Sequence, residues 1–166
     1  VGLRFITTVP VAVPVVVTAA DGITTKTYTV NVIRPLSPNA NLSGLTVTGA
    51  SGSLSPTTFS PNTITYSFSN VAFTVSSLNI TPTLQDANAS SLKINGTTVS
   101  SGSAQAVPLN VGSNSINVVV VAEDGTTTKT YTINVNRIAA STNANLSGLS
   151  LTSTPSTSIS PFFNAN

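Results

Sequence analysis

The ionic groups of this 166-residue chain are few: four carboxylates and six cations, with neither His nor Cys. The carboxylates are Asp21, Asp86, Glu123 and Asp124; the cations are Arg4, Lys26, Arg34, Lys93, Lys129 and Arg137. Nucleophilic catalysis through a thiolate or a Ser–His pair has no parts to work with. A Ser–Lys arrangement around Lys93 or Lys129 lacks any surrounding motif. Glu123 and Asp124 are neighbours, and neighbouring strand residues point to opposite faces, so they do not form an acid/base pair. Calcium needs six to eight oxygens, usually with several carboxylates. The stretches "DAN" (86–88) and "EDG" (123–125) are too sparse for that, and read as turn chemistry in which Asp-Gly sets the backbone and Asp86 caps a loop. No catalytic residue, cofactor or metal is expected, and the chain is not read as an enzyme.

The uncharged residues must then carry the function through the fold. Charged residues are 6% of the chain, against roughly 25% in ordinary soluble proteins. Hydrophobic residues are 40%, and the mean hydropathy is +0.31. A disordered chain combines low hydrophobicity with high charge, so this composition argues for a packed core. The remainder is mostly Ser, Thr, Asn, Gly and Pro, which suits strands with uncharged outer faces and tight turns. The net charge of +2 comes from scattered cations, whereas nucleic acid requires several phosphate contacts from one face. No apolar run is long enough for a membrane span, and "VPVAVPVVV" (9–17), with its two prolines, reads as extended chain.

The chain repeats itself. "AADGITTKTYTVNVIR" (19–34) returns as "AEDGTTTKTYTINVNR" (122–137), so Asp124, Gly125 and Tyr131 each stand 103 positions after Asp21, Gly22 and Tyr28. "NANLSGL" (39–45), with Leu42 and Leu45, returns at 143–149, one residue later, and "LSP" (54–56) echoes as "ISP" (159–161). Self-similarity at this period marks tandem modules of immunoglobulin-like size. Three pieces are predicted: residues 1–35 as the C-terminal part of one module, 39–138 as a complete one, and 143–166 as the start of the next. The twice-written stretch is the last hairpin of each module.

Alternation predicts seven strands in the complete module, near residues 42–48, 63–69, 78–84, 91–95, 105–110, 115–123 and 129–136. Ile64, Tyr66 and Phe68 share one face of the second, and Tyr131, Ile133 and Val135 point inward from the last. Pro82 suggests an edge or a bulge, and Asn95-Gly96 is a hairpin turn. Tyr28, Tyr66 and Tyr131 all have core parity, which favours packing over stacking on sugars. Lys129 shares that parity. A lysine inside a surface sandwich can condense with an asparagine amide, assisted by a carboxylate such as Glu123; the plainer expectation is a rim lysine with its stem over the core. Asn41, Asn79, Asn88, Asn95 and Asn145 begin Asn-x-Ser/Thr sequons.

In "NANLSGLTV", "LSPTTFSPNTITYSF" and "VGSNSINVVVVAEDGTTTKTYTINVNR", and in their order, the chain resembles the cadherin-like β-sandwich family of bacterial tandem-repeat surface proteins. The resemblance covers residues 39–137 and both flanks. The first fragment departs from it, with "TTVPVAVPVVV" (7–17) where the complete module has "NVGSNSINVVV" (110–120). The resemblance implies an all-β fold of tandem immunoglobulin-like, cadherin-like sandwiches with Greek-key links, and a role as adhesin shaft, stalk or filament at the cell surface. Expected partners are neighbouring repeats of the same chain and, through self-assembly into filaments, other copies. The alternatives are a sandwich that binds a surface glycan or host protein through loops such as 85–91, or a non-catalytic appendage of a secreted enzyme.

Overall fold

The computed structural model describes residues 8–148, with ten strands and no helix among them. The echo at 159–161 and the third fragment from residue 149 onward lie outside the described residues. The ten strands are β1 (Thr8–Thr18), β2 (Thr25–Pro35), β3 (Leu42–Thr48), β4 (Thr65–Val71), β5 (Ser77–Leu84), β6 (Ser91–Ile94), β7 (Thr97–Thr98), β8 (Gln105–Pro108), β9 (Gly112–Val121) and β10 (Thr128–Arg137). They form a two-stranded sheet β1-β2, a five-stranded sheet β4-β10-β9-β6-β7 and a three-stranded sheet β3-β5-β8.

The two larger sheets make the sandwich. Its strands alternate because one side chain in two faces the opposite sheet. Leu42 and Leu45 from β3, Leu78 and Ile80 from β5, and Val107 from β8 meet Tyr66 and Phe68 from β4, Leu92 and Ile94 from β6, Ile116, Val118 and Val120 from β9, and Tyr131, Ile133 and Val135 from β10. Each fully buried Ile, Leu, Val or Phe is worth about 1.5–3 kcal/mol relative to exposure. No polar or charged residue is fully buried among the described ones. The chain crosses between sheets at β3–β4, β4–β5, β5–β6, β7–β8 and β8–β9, in keeping with the Greek-key links that the resemblance implied.

Most predicted faces are present, with three differences. The sandwich has eight strands where seven were expected: Thr97 and Thr98 return from the Asn95-Gly96 turn to pair with Ile94 and Lys93. Two residues are too few to show alternation. Ile64 is half-exposed: it lies after the turn at residues 61–62 and one residue before β4 begins. Tyr28 is also half-exposed, although its equivalent Tyr131 is buried, because no opposing sheet covers the β1-β2 face among the described residues. Pro82 lies in β5, the middle strand of its sheet, yet β8 pairs only with Ser77–Ile80, so Pro82 sits past the end of its neighbour. The register of β3 against β5 shifts between Leu42 and Gly44 beside it. Both devices expected of a strand proline are therefore in use at one place.

Candidate functional site: the module junction

The two copies of the repeated hairpin have the same internal geometry. Thr18 pairs with Thr25, Val17 with Lys26 and Val15 with Tyr28; 103 positions on, Val121 pairs with Thr128, Val120 with Lys129 and Val118 with Tyr131. In the first turn Asp21 Oδ1 accepts the N–H groups of Ile23 and Thr24 at 3.0 and 2.9 Å, and Oδ2 accepts the Thr24 hydroxyl. Asp124 does the same for Thr126, Thr127 and the Thr127 hydroxyl. These bonds, led by the Thr hydroxyl in each case, hold both carboxyls down at about 2. Gly22 and Gly125 follow with φ of 71° and 69°, a left-handed conformation that favours glycine. Lys26 lies 5.2 Å from the Tyr28 ring centre and Lys129 5.5 Å from that of Tyr131.

The linkers are alike too. Asn39 N–H donates to the Ser37 hydroxyl at 3.2 Å, and Asn41 N–H to Asn39 Oδ1 at 3.0 Å. Asn143 N–H donates to the Ser141 hydroxyl at 3.2 Å, and Asn145 N–H to Asn143 Oδ1 at 2.9 Å. A Ser-x-Asn-x-Asn segment thus stiffens its own backbone locally, since short polar side chains satisfy N–H groups two residues on.

Between β2 and the sandwich, the linker is fastened by charge. Arg34 forks onto Glu123, with Nη1 donating to Oε2 at 2.9 Å and Nη2 to Oε1. Ser37 N–H donates to the same Oε2 at 2.9 Å, and Asp124 N–H donates back to Ser37 O at 3.2 Å. Arg34 first, and then the Ser37 N–H, hold the Glu123 carboxyl at about 2. The Glu123 side chain is 13% exposed and that of Arg34 54%, so the carboxylate is seated and the guanidinium reaches in from solvent. The Ser37 hydroxyl and the Asn88 N–H keep Asp86 below the usual carboxylate range.

Lys129 anchors the start of β3. Its Nζ donates to Asn41 Oδ1 at 2.8 Å and to Pro61 O at 2.6 Å, and Tyr131 OH also donates to Pro61 O at 3.0 Å while accepting Leu42 N–H at 3.1 Å. Leu42 begins an edge strand, so its N–H would otherwise face no strand. The structure therefore does not bring Lys129 to Glu123 as a bonded pair. Glu123 follows β9 rather than lying within it, and its oxygens are taken by Arg34 and Ser37. Lys129 does meet an asparagine side chain, Asn41, but it addresses the amide oxygen as an ammonium donor, with no carboxylate bonded to either.

A sequence model describing a cadherin-like beta sandwich domain matches residues 42–138. The chain belongs to the cadherin-like β-sandwich family. The matched segment is β3–β10 and its loops, the unit that encloses the core. No curated protein matches the chain. Membership makes the domain a structural or adhesion-type module, of a kind typically without catalysis. Among the described residues no group of three or more His, Cys, Asp or Glu could hold a metal, and a shallow groove over the five-stranded sheet is lined mainly by Ser and Asn, including Ser67, Ser115 and Asn134.

Of the junction residues, Asp21, Gly22, Asp124 and Gly125 were legible from the repeat. Nothing in the local pattern marks Arg34, Ser37 or Pro61 as junction residues, and Asn41 stands out only as the start of a sequon. The one sequence signal available was the recurrence of Arg34 as Arg137 and of Ser37 as Ser141 at the repeat spacing. Even that misleads on contacts, because Arg137 donates to Leu109 O and Phe73 O inside its own module.

Proposed function

We propose that this chain is a segment of an extracellular array of tandem β-sandwich modules, serving as the stalk, adhesin shaft or filament of a surface protein. Its neighbours are further repeats of the same polypeptide, and its work is to hold length under load. The observation that carries this reading is the pair of equivalent hairpins, one of which continues through a self-bonded linker clamped to the next sandwich by Arg34 and Ser37 on Glu123. A flexible tether between unrelated domains has no need of such a clamp.

The sandwich suits tension. β4, near the start of the module, lies parallel to the terminal strand β10, with Thr65 opposite Thr132 and Phe68 opposite Val135. Load from the linker enters first at β3, whose start is tied to the terminal strand by Lys129 on Asn41 and Tyr131 on Leu42; once β3 yields, further pulling slides β4 and β10 past each other. Their evenly spaced bonds are then strained together, instead of one at a time as when a hairpin is peeled open. Low charge makes the unit insensitive to salt, because few exposed pairs are available to screen.

Single-molecule stretching of the chain between end handles tests this. Residues 42–137 should open in one discrete event that releases about 30 nm of contour. Gradual lengthening without a force peak would refute the load-bearing role. Binding to a glycan array with a well-formed sandwich but no mechanical resistance would favour the binding-module reading instead.

A further inference from the structure

The β1-β2 hairpin presents a continuous apolar face. Val11, Val13, Val15 and Val17 stand beside Tyr28, Val30 and Val32, each 43–54% exposed. At the repeat spacing, Val13, Val15, Val17, Tyr28, Val30 and Val32 correspond to Ile116, Val118, Val120, Tyr131, Ile133 and Val135, each at most 2% exposed. The same pattern is thus covered in one copy and bare in the other.

The hairpin's two edges differ. Ala19 N–H donates to Thr24 O, which fixes the parity: odd residues of β1 turn their N–H groups to β2, and even residues turn them to the free edge. Pro10 and Pro14 are even. Their rings leave the β1-β2 ladder intact and remove two donors from the free edge of β1, blunting it against strand addition. The β2 edge is different. In the complete module Thr132 N–H donates to Ile64 O as β4 joins β10. Thr29 is the equivalent of Thr132, and Thr29 and Asn31 present N–H groups along the free edge of β2 with no proline until Pro35.

We infer that this hairpin is the acceptor half of a second β-sandwich. Its occupant is a strand set of the same kind as residues 39–110, added through the β2 edge by a β4-type strand running parallel to Thr29–Val32. The inference rests on the tandem-array reading and names the surface on which that array is completed. A face-to-face pair of hairpins from two copies fits the observations less well. It would cover the valines but leave the proline-free β2 edge unpaired, whereas the equivalent edge of β10 is taken by β4.

The test replaces residues 1–7 with a second copy of residues 39–110, so that Thr8 follows Asn110 as Val111 does in the complete module. Amide exchange at Thr29 and Asn31 should slow by at least about a hundredfold, towards that of Thr132 and Asn134, and Tyr28 fluorescence should lose its accessibility to a soluble quencher. Adding Val30→Asp to this hybrid should abolish the gain while the melting of residues 39–138 is unchanged. If Thr29 and Asn31 exchange as fast as before, the inference is overturned. Sedimentation of the unaltered chain as a dimer with Val30 protected would overturn it too, in favour of a second copy as occupant. Either result leaves the stretching of residues 42–137 to judge the array reading separately.

Discussion

Tyr131→Phe and Tyr28→Phe are the same substitution at equivalent repeat positions, and the structure requires them to differ. Tyr131 is fully buried, burial pushes its phenol pKa up, and its hydroxyl bridges Leu42 N–H and Pro61 O. Pro61 O keeps Lys129 as a donor after the change, but Leu42 N–H loses the partner given by the hydroxyl. Leaving a buried donor unsatisfied costs about 1–3 kcal/mol. For a module of this size each kcal/mol lowers Tm by about 4–8 °C, so a drop on the order of 5–20 °C is expected. Tyr28 is half-exposed, and removing its hydroxyl should change stability by less than about 0.5 kcal/mol. Urea and thermal unfolding followed by circular dichroism measure both, and amide exchange at Leu42 localises the loss. Equal, small effects at the two sites would refute the argument that Tyr131 ties the terminal strand to the start of β3.

Arg34→Ala should leave the Tm of the sandwich unchanged but widen the distribution of hairpin-to-sandwich orientations, read by paramagnetic relaxation or small-angle scattering; an unchanged distribution would remove the clamp from the mechanism. Because the Glu123 carboxyl sits at about 2 instead of 4.5, its bond to Arg34 contributes fully above pH 4.5 and fades only as pH falls through about 2. Orientational order at the junction should therefore persist at pH 4 and disappear near pH 2, at which point Glu123→Gln should no longer differ from the parent chain. Gly96→Ala, at φ of 86° with open space around the added methyl, should cost about 1–2 kcal/mol from left-handed strain alone, measured by urea unfolding. Intact mass decides between a salt-like and a covalent Lys129–Asn41 contact: the hydrogen-bonded geometry predicts the full sequence mass, and loss of one ammonia would show that the amide has been attacked.

The sequence by itself determined the repeat, seven of the eight strands of the sandwich and most of their inward faces, because each is a local property. Period-two alternation, an Asn-Gly or Asp-Gly turn and a copied stretch can be read without knowing what lies opposite. Tertiary structure alone decided that Arg34 meets Glu123, 89 positions away, while its equivalent Arg137 binds carbonyls of its own module. It also decided that Tyr131 is buried while Tyr28 is bare. Tyr28 and Tyr131 have the same immediate neighbours, and Arg34 and Arg137 both close the repeated stretch, although Pro35 follows one and Ile138 the other. What separates them is which other strands complete their surroundings, and long-range proximity of that kind leaves no mark on the local pattern.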